Sequence, residues 1–323
     1  MKILICGLEG FIGVHLAKRL LNCGHEVVGL GNLSRDTLQY FPEVRNKIAK
    51  FINGDILDRK TLDFTIRDHI DVVINCAAVA GVSNYHKKPV DTIVTNGIGT
   101  HNVIDLCHKN QIPKVIILSS SEIYGDSSNY DEIDGQSLFT SVHNLRLTYS
   151  ISKLFGDQLA IAYHKQYGMD ICSLRPFGIF GGGQTGEGAI QIFVRKAVNN
   201  QPIPIVNDGS QMRCWCYIDD FVDAVDLCIH SDKIAGQILN IGDPGNYMTI
   251  LELAKKIINL SESKSEIIFV NRDGVRDSKY RQSNISLAKK LIGFENKIPF
   301  DKALLETIKW YREHPSVGED ISF

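Results

Sequence analysis

Tyr149 and Lys153 stand four residues apart in a stretch with helical patterning, so both side chains share one helix face and can reach one ligand. Of the eleven tyrosines, Tyr149 is the one followed by lysine at this spacing. A phenol titrates near pH 10 and is a poor base at neutral pH. An ammonium group beside it favours the phenolate, which can then take a proton from an alcohol. Upstream, Ser119-Ser120-Ser121-Glu122 closes an apolar run that starts at Lys114. A hydroxyl at Ser120 can hydrogen-bond the alcohol that Tyr149 deprotonates, with Ser121 as a helper. Glu122 adds a carboxylate at the same place, a second acid/base group that plain alcohol oxidation does not require.

Proton removal from an alcohol needs a hydride acceptor, and the first thirteen residues provide a place for one. Gly7-Leu8-Glu9-Gly10-Phe11-Ile12-Gly13 joins an apolar run to an amphipathic one. Glycines there permit a tight turn and close approach to a pyrophosphate, which the free N–H groups of the following helix then bind. Recognition of the adenosine ribose ordinarily falls to a carboxylate ending the second strand. That segment reads Gly29-Leu30-Gly31-Asn32-Leu33-Ser34-Arg35 and has no carboxylate at the expected place. Ser34 and Arg35 are suited to a 2′-phosphate, so the expected cofactor is NAD with NADP left open. Asp55, followed by Ile56, is placed to face the adenine end.

These groups require a frame. The runs 2–6, 26–30, 50–53, 71–77, 114–119 and 170–174 are nearly continuous in Val, Ile, Leu and Cys, as strands buried on both faces are. Amphipathic stretches at 12–23, 61–68, 90–108 and 149–166 separate them. The alternation predicts an α/β fold, a Rossmann-type doubly wound parallel sheet, with ligands at the carboxyl ends of its strands. After Arg175-Pro176 the rhythm changes to a glycine-rich loop and shorter elements, ending in a helix around 301–312. The expected division is a dinucleotide-binding domain over 1–175, to which 217–243 returns, and a smaller α/β substrate-binding lobe over 176–216 and 244–323. At 323 residues, 44% hydrophobic and 22% charged, the chain can bury a sizeable core. Thirty-five basic against thirty-seven acidic residues leave no electrostatic reason to bind nucleic acid. No apolar run reaches the roughly 18 residues of a membrane span. Eight scattered cysteines without a CxxC pair, and histidines without ligand spacing, read as reduced thiols in a cytoplasmic protein with no metal site.

The whole chain resembles the extended short-chain dehydrogenase/reductase family, the nucleotide-sugar epimerases, dehydratases and decarboxylases. The resemblance rests on Gly7-x-x-Gly10-x-x-Gly13, Asp55, Asn75-Cys76-Ala77-Ala78, Asn96, the Ser120 region, Tyr149-x-x-x-Lys153, Arg175-Pro176-Phe177 and Arg213-Cys214-Trp215-Cys216-Tyr217-Ile218-Asp219-Asp220, in the family's order. It implies that Ser120, Tyr149 and Lys153 form the hydride-transfer triad and that Ala77, Ala78 and Asn96 join the cofactor site. It also implies that Arg213 and Arg281 grip a sugar-nucleotide diphosphate. Gly31 stands where many NAD-using relatives carry aspartate. Gly178 stands where the family usually has asparagine, with the loop carrying Glu187 and Gly188 to fill the substrate site. The Ser-Ser-Glu run resembles the dehydratase/decarboxylase branch. The expected reaction is 4,6-dehydration of a nucleotide-diphosphate sugar through a transient 4-ketone. Ranked behind it are decarboxylation of a UDP-glucuronate-type substrate, then 4-epimerisation or 4-keto reduction. A non-catalytic nicotinamide-binding regulator would lack part of the triad. Paired long helices imply a homodimer.

Overall fold

The computed structural model describes residues 1–125, 144–145, 147–271 and 279–317. Strands β1 (Lys2–Cys6), β2 (Glu26–Gly31), β3 (Lys50–Asn53), β4 (Val72–Asn75), β5 (Lys114–Leu118) and β6 (Ile171–Pro176) join a seventh, Ile238–Ile241, in one sheet. The order across it is Ile238–Ile241, β6, β5, β4, β1, β2, β3, and every neighbouring pair is parallel. Side chains alternate across a strand, so β1 sends Ile3 and Ile5 into one core and Leu4 and Cys6 into the other. Helix α1 (Phe11–Asn22) and the Ile218–His230 helix cover the first face through Leu16, Leu20, Phe221 and Val225. Helices Arg59–Ile66, Thr100–Lys109 and Leu147–Tyr167 cover the second through Leu62, Val103 and Ala160. The order reverses between β1 and β4, which opens a crevice at their carboxyl ends.

A third core, around Phe180, Phe193, Trp215, Leu253 and Leu304, lies among the helices Ala189–Val198, Ile250–Leu260 and Phe300–Glu313. Beside it, Met212–Cys214 pairs antiparallel with Tyr247–Thr249 and parallel with Tyr280–Arg281, placing Arg213 and Arg281 opposite each other.

The single helix expected over 90–108 is broken. Pro89–Ile93 leads into a π-helical turn, Val94–Gly99, before Thr100–Lys109 resumes the α-helix. Gly99 ends that turn in close contact with Ile56: a Cβ on it would stand 2.4 Å from the Ile56 side chain. β4 ends at Asn75 rather than at 77, since Cys76 and Ala77 already form the loop facing the glycine turn, and β6 extends to Pro176 along Ile238–Ile241. All eight cysteines are free thiols; Cys23 is exposed, Cys76 half-buried and the other six buried.

Candidate active site

Gly7 leaves β1 with φ +76°, and a Cβ on it would lie 2.8 Å from the Ala77 backbone. A Cβ on Gly13 would stand 2.3 Å from the Gly7 carbonyl oxygen. The two glycines therefore let β1, β4 and the start of α1 converge without side chains between them, and α1 begins with no side-chain cap on its N–H groups. A cleft of about 890 Å³ opens over this turn. Gly7, Gly10, Phe11, Ile12 and Gly13 form its floor; Asn32, Ser34, Arg35, Asp55 and Ile56 one end; Ala77 and Ala78 the wall from β4. Tyr149, Lys153 and Glu122 close the other end, with Glu187 and Gly188 above.

Asn96 does not line this cleft. It is fully buried and exchanges two hydrogen bonds with the Val79 backbone, donating to its carbonyl at 3.0 Å and accepting from its N–H at 2.8 Å, so it braces the loop that does. Asp55 accepts from the Asn32 amide at 2.9 Å. Arg35 donates to the Ala80 carbonyl at 2.6 Å. The carboxylate of Glu187 accepts from the Ser83 N–H at 2.9 Å, tying the glycine-rich loop to the Val82–Lys87 helix. Gly178 brings no group to the cleft. Its φ is +54°, a Cβ would stand 2.2 Å from the Cys214 carbonyl oxygen, and its own carbonyl accepts from the Cys216 N–H. Backbone packing accounts for glycine there, in place of the expected substrate contact.

The Leu147–Tyr167 helix carries Tyr149 and Lys153 beneath the carboxyl end of β5. The Lys153 ammonium donates to the Leu118 carbonyl at 2.7 Å and lies 5.8 Å from the centre of the Tyr149 ring. Burial pushes Lys153 down to about 8, opposed by the charge of Asp157. Burial pushes Tyr149 up to about 12; a hydrogen bond with the Ser120 hydroxyl acts the other way, and the nearby Glu122 charge adds to the rise. At this value Tyr149 is a neutral phenol at pH 7, and a positive charge brought next to it would lower its pKa. The Tyr85 ring stacks on it, centroids 5.0 Å apart and planes 19° apart, which fixes its orientation.

Ser120 caps the short turn Ser121–Tyr124, its hydroxyl accepting from the Glu122 N–H at 3.1 Å; Ser121 is buried in that turn. Behind it, Tyr124 donates to Asn240 at 2.8 Å and accepts from Arg175 at 2.7 Å, and Arg175 is paired at 2.8 Å with the fully buried Asp157. This network ties the turn to β6 and to the Ile238–Ile241 strand. Arg281, expected to grip a diphosphate, is engaged by a carboxylate of this chain. Its two terminal nitrogens meet the two oxygens of Glu122 at 2.6 and 3.1 Å, because the Tyr280–Arg281 strand docks against the catalytic turn. Arg213 lies beside it, donating to the Met212 carbonyl at 2.8 Å.

Tyr85, Asp157 and the Leu118 carbonyl were not marked by any spacing in the sequence. Glu9 was legible only jointly with Gly31, as a carboxylate gained where another is missing. It is 4% exposed and lies at the cleft, where one of its oxygens has no hydrogen-bond partner. A glycine turn at a helix N-terminus, an unpartnered buried carboxylate oxygen at one end and a Tyr–Lys pair at the other fit a dinucleotide.

Residues 3–242 match the model of the NAD dependent epimerase/dehydratase family. The chain is 32% identical over 320 residues to UDP-N-acetyl-alpha-D-glucosaminuronate decarboxylase of Bacillus cytotoxicus, covering 97% of this chain and 98% of the relative. It is 27% identical over 333 residues to dTDP-glucose 4,6-dehydratase of Streptomyces niveus, covering 99% and 96%. Among solved structures, UDP-glucuronic acid 4-epimerase from Bacillus cereus, in complex with UDP-glucuronic acid and NAD, superposes with a TM-score of 0.87 at 27% identity over 97% of this chain and 100% of that one. The dinucleotide of this cleft is NAD, and the chain belongs to the NAD-dependent epimerase/dehydratase family.

Proposed function

We propose that this protein decarboxylates a UDP-linked sugar carrying a 6-carboxylate, through a transient ketone at C4. Bound NAD supplies reversible two-electron oxidation at C4. Tyr149 takes the C4 hydroxyl proton while Ser120 hydrogen-bonds the same oxygen, and Lys153 holds the Tyr149 helix face against Leu118 and supplies positive charge. The ketone makes the C6 carboxylate a β-keto acid. The C5–C6 bond breaks, carbon dioxide leaves, and the electron pair passes into an enolate whose oxygen lies against the Ser120 and Tyr149 hydroxyls. C5 then gains a proton from water, and Tyr149 returns its proton to the C4 oxygen as the hydride returns to C4 and the ketone is reduced.

The observation that carries this reading over dehydration is the Arg281–Glu122 fork. Dehydration needs a general acid for the departing C6 hydroxyl. Both Glu122 oxygens accept from the Arg281 guanidinium, an arrangement that suits an acceptor and leaves neither oxygen turned to donate a proton to a departing hydroxyl, and its neighbour Ser121 is no acid. Decarboxylation needs no such donor, and Arg281 brings positive charge to a place where a second carboxylate would otherwise be repelled. The similarity to a uronate decarboxylase over nearly the whole chain supports the same reading. Dehydration is the second reading, favoured by a carboxylate on the same turn as Ser120; it requires Glu122 to leave Arg281.

Incubation with UDP-glucuronate, UDP-N-acetylglucosaminuronate, UDP-glucose and dTDP-glucose, followed by mass analysis, tests this. Loss of carbon dioxide from one of the uronates is expected. Loss of water from a neutral sugar, or a changed C4 configuration without change of mass, would replace the proposal with dehydration or epimerisation.

A further inference from the structure

We infer that Glu9, inside the glycine turn, is the residue that reads the adenosine ribose and makes this site select NAD over NADP. In doubly wound folds the carboxylate that accepts from the ribose hydroxyls normally ends β2. Here that position is Gly31. A Cβ built on Gly31 would lie 1.7 Å from Glu9 Oε2, 2.2 Å from Cδ and 2.4 Å from Oε1. The Glu9 carboxylate therefore fills the space into which a residue-31 side chain would have to start. The carboxylate has moved from β2 to the glycine turn while keeping its place in the molecule.

Three further observations bear on it. Glu9 Oε1 accepts from the Leu33 N–H at 3.1 Å, which fixes the group at the end of β2. Its Oε2 is buried and has no hydrogen-bond partner, a costly arrangement in the ligand-free protein that a ribose hydroxyl would relieve. Both Glu9 and Gly31 lie at the cleft, between the glycine floor and Asn32. Burial raises Glu9 above the usual carboxylate range, held in check by neighbouring backbone N–H groups, so a donor arriving at Oε2 favours the ionised form. A 2′-phosphate at the same place would set a dianion against this carboxylate. Arg35, expected from sequence to receive that phosphate, instead donates to the Ala80 carbonyl.

The test reads dinucleotide binding to the stripped protein by calorimetry and by the shift in melting temperature. Wild type is expected to bind NAD more tightly than NADP or an NAD lacking the adenosine 2′-hydroxyl. Glu9→Gln keeps the size and removes the charge. It should weaken NAD by roughly 10- to 100-fold, as for loss of a hydrogen bond to a charged group, and collapse the NAD/NADP ratio. Gly31→Asp alone sets a second carboxylate against Glu9, whose tip must swing out of its place, so it should bind NAD more weakly than the same change paired with Glu9→Ala. The pair Glu9→Ala/Gly31→Asp should recover the NAD preference, a rescue that a merely structural role for Glu9 does not produce. Equal wild-type affinity for NAD and its 2′-deoxy analogue, a wild-type preference for NADP, or an unchanged ratio in Glu9→Gln would overturn the inference. None of these readouts depends on which sugar is the substrate.

Discussion

The Tyr149 phenol and the Lys153 ammonium are both displaced from their ordinary values by burial, in opposite directions, and each displacement has a measurable consequence. Tyr149→Phe removes the group that takes the alcohol proton. Appearance of reduced-nicotinamide absorbance on mixing with substrate should fall by about 10²–10⁴-fold. Glu122→Gln leaves that first oxidation in place, and decarboxylation, which needs no acid at C6, should still go to product; reduced-nicotinamide absorbance that rises and persists while product formation stalls would favour dehydration instead. For Lys153 the folded value of about 8 lies below the ordinary 10.5. The buried ammonium thus opposes folding in full below pH 8, and the penalty fades as pH rises through 10.5, above which folded and unfolded chains are alike neutral. Urea unfolding of the ligand-free protein should show wild type gaining on Lys153→Met by at most roughly 3 kcal/mol between pH 7 and pH 10.5. A constant difference across that window would refute the buried ammonium. The Tyr-x-x-x-Lys spacing announced this pair, because an interval of four is itself a geometric statement. Nothing announced Tyr85, whose stacking on Tyr149 depends on how two distant segments meet.

At the level of elements, hydrophobic runs located the first six strands to within a few residues, since strands buried on both faces leave an unbroken apolar signature. The same signal missed the π-helical turn at Val94–Gly99, since an apolar period does not register the widening of a single helical turn. It likewise could not place Tyr280–Arg281 against the catalytic turn, a contact made 159 residues from Glu122. The β1–α1 junction is the least forgiving joint. Gly13→Ala would press a methyl group to within 2.3 Å of the Gly7 carbonyl and 2.7 Å of the Leu8 backbone. Overpacking of this kind costs about 1–3 kcal/mol. The melting temperature should fall, and NAD should no longer raise it, whereas Gly24→Ala at an open turn, with nothing within 4 Å of its Cβ, tests φ strain alone and should leave NAD binding intact.

For the molecule as a whole, one surface is poorly suited to water. Val90, Ile93, Ile98, Ile151 and Phe155 are exposed, and they lie on the segment from Pro89 to Gly99 and on the adjoining Leu147–Tyr167 helix. We propose that a second copy of the chain covers this face, which shape and charge permit since all five side chains are uncharged. Light scattering at micromolar concentration should give a dimer, and Phe155→Glu should give a monomer that still binds NAD. A monomeric wild type would sink the proposal. Among the described residues no helix is long and apolar enough to cross a membrane. What the sequence conveyed at this scale was the order of motifs along the chain. What it withheld were pairings across the chain, such as Glu187 with Ser83 and Arg281 with Glu122.

The overlap of the Glu9 carboxylate with the place of a residue-31 side chain also constrains descent. An aspartate at position 31 and a glutamate at position 9 would crowd each other, since the Cβ of one would lie 1.7 Å from an oxygen of the other and the flexible tip of Glu9 would have to turn away. If Glu9 reads the ribose, a lineage exchanging the two one residue at a time passes through either a chain with two carboxylates competing for one place or a chain with none there. At either step the discrimination between the two dinucleotides is at its weakest, so cofactor choice is most open to reversal at the moment of exchange.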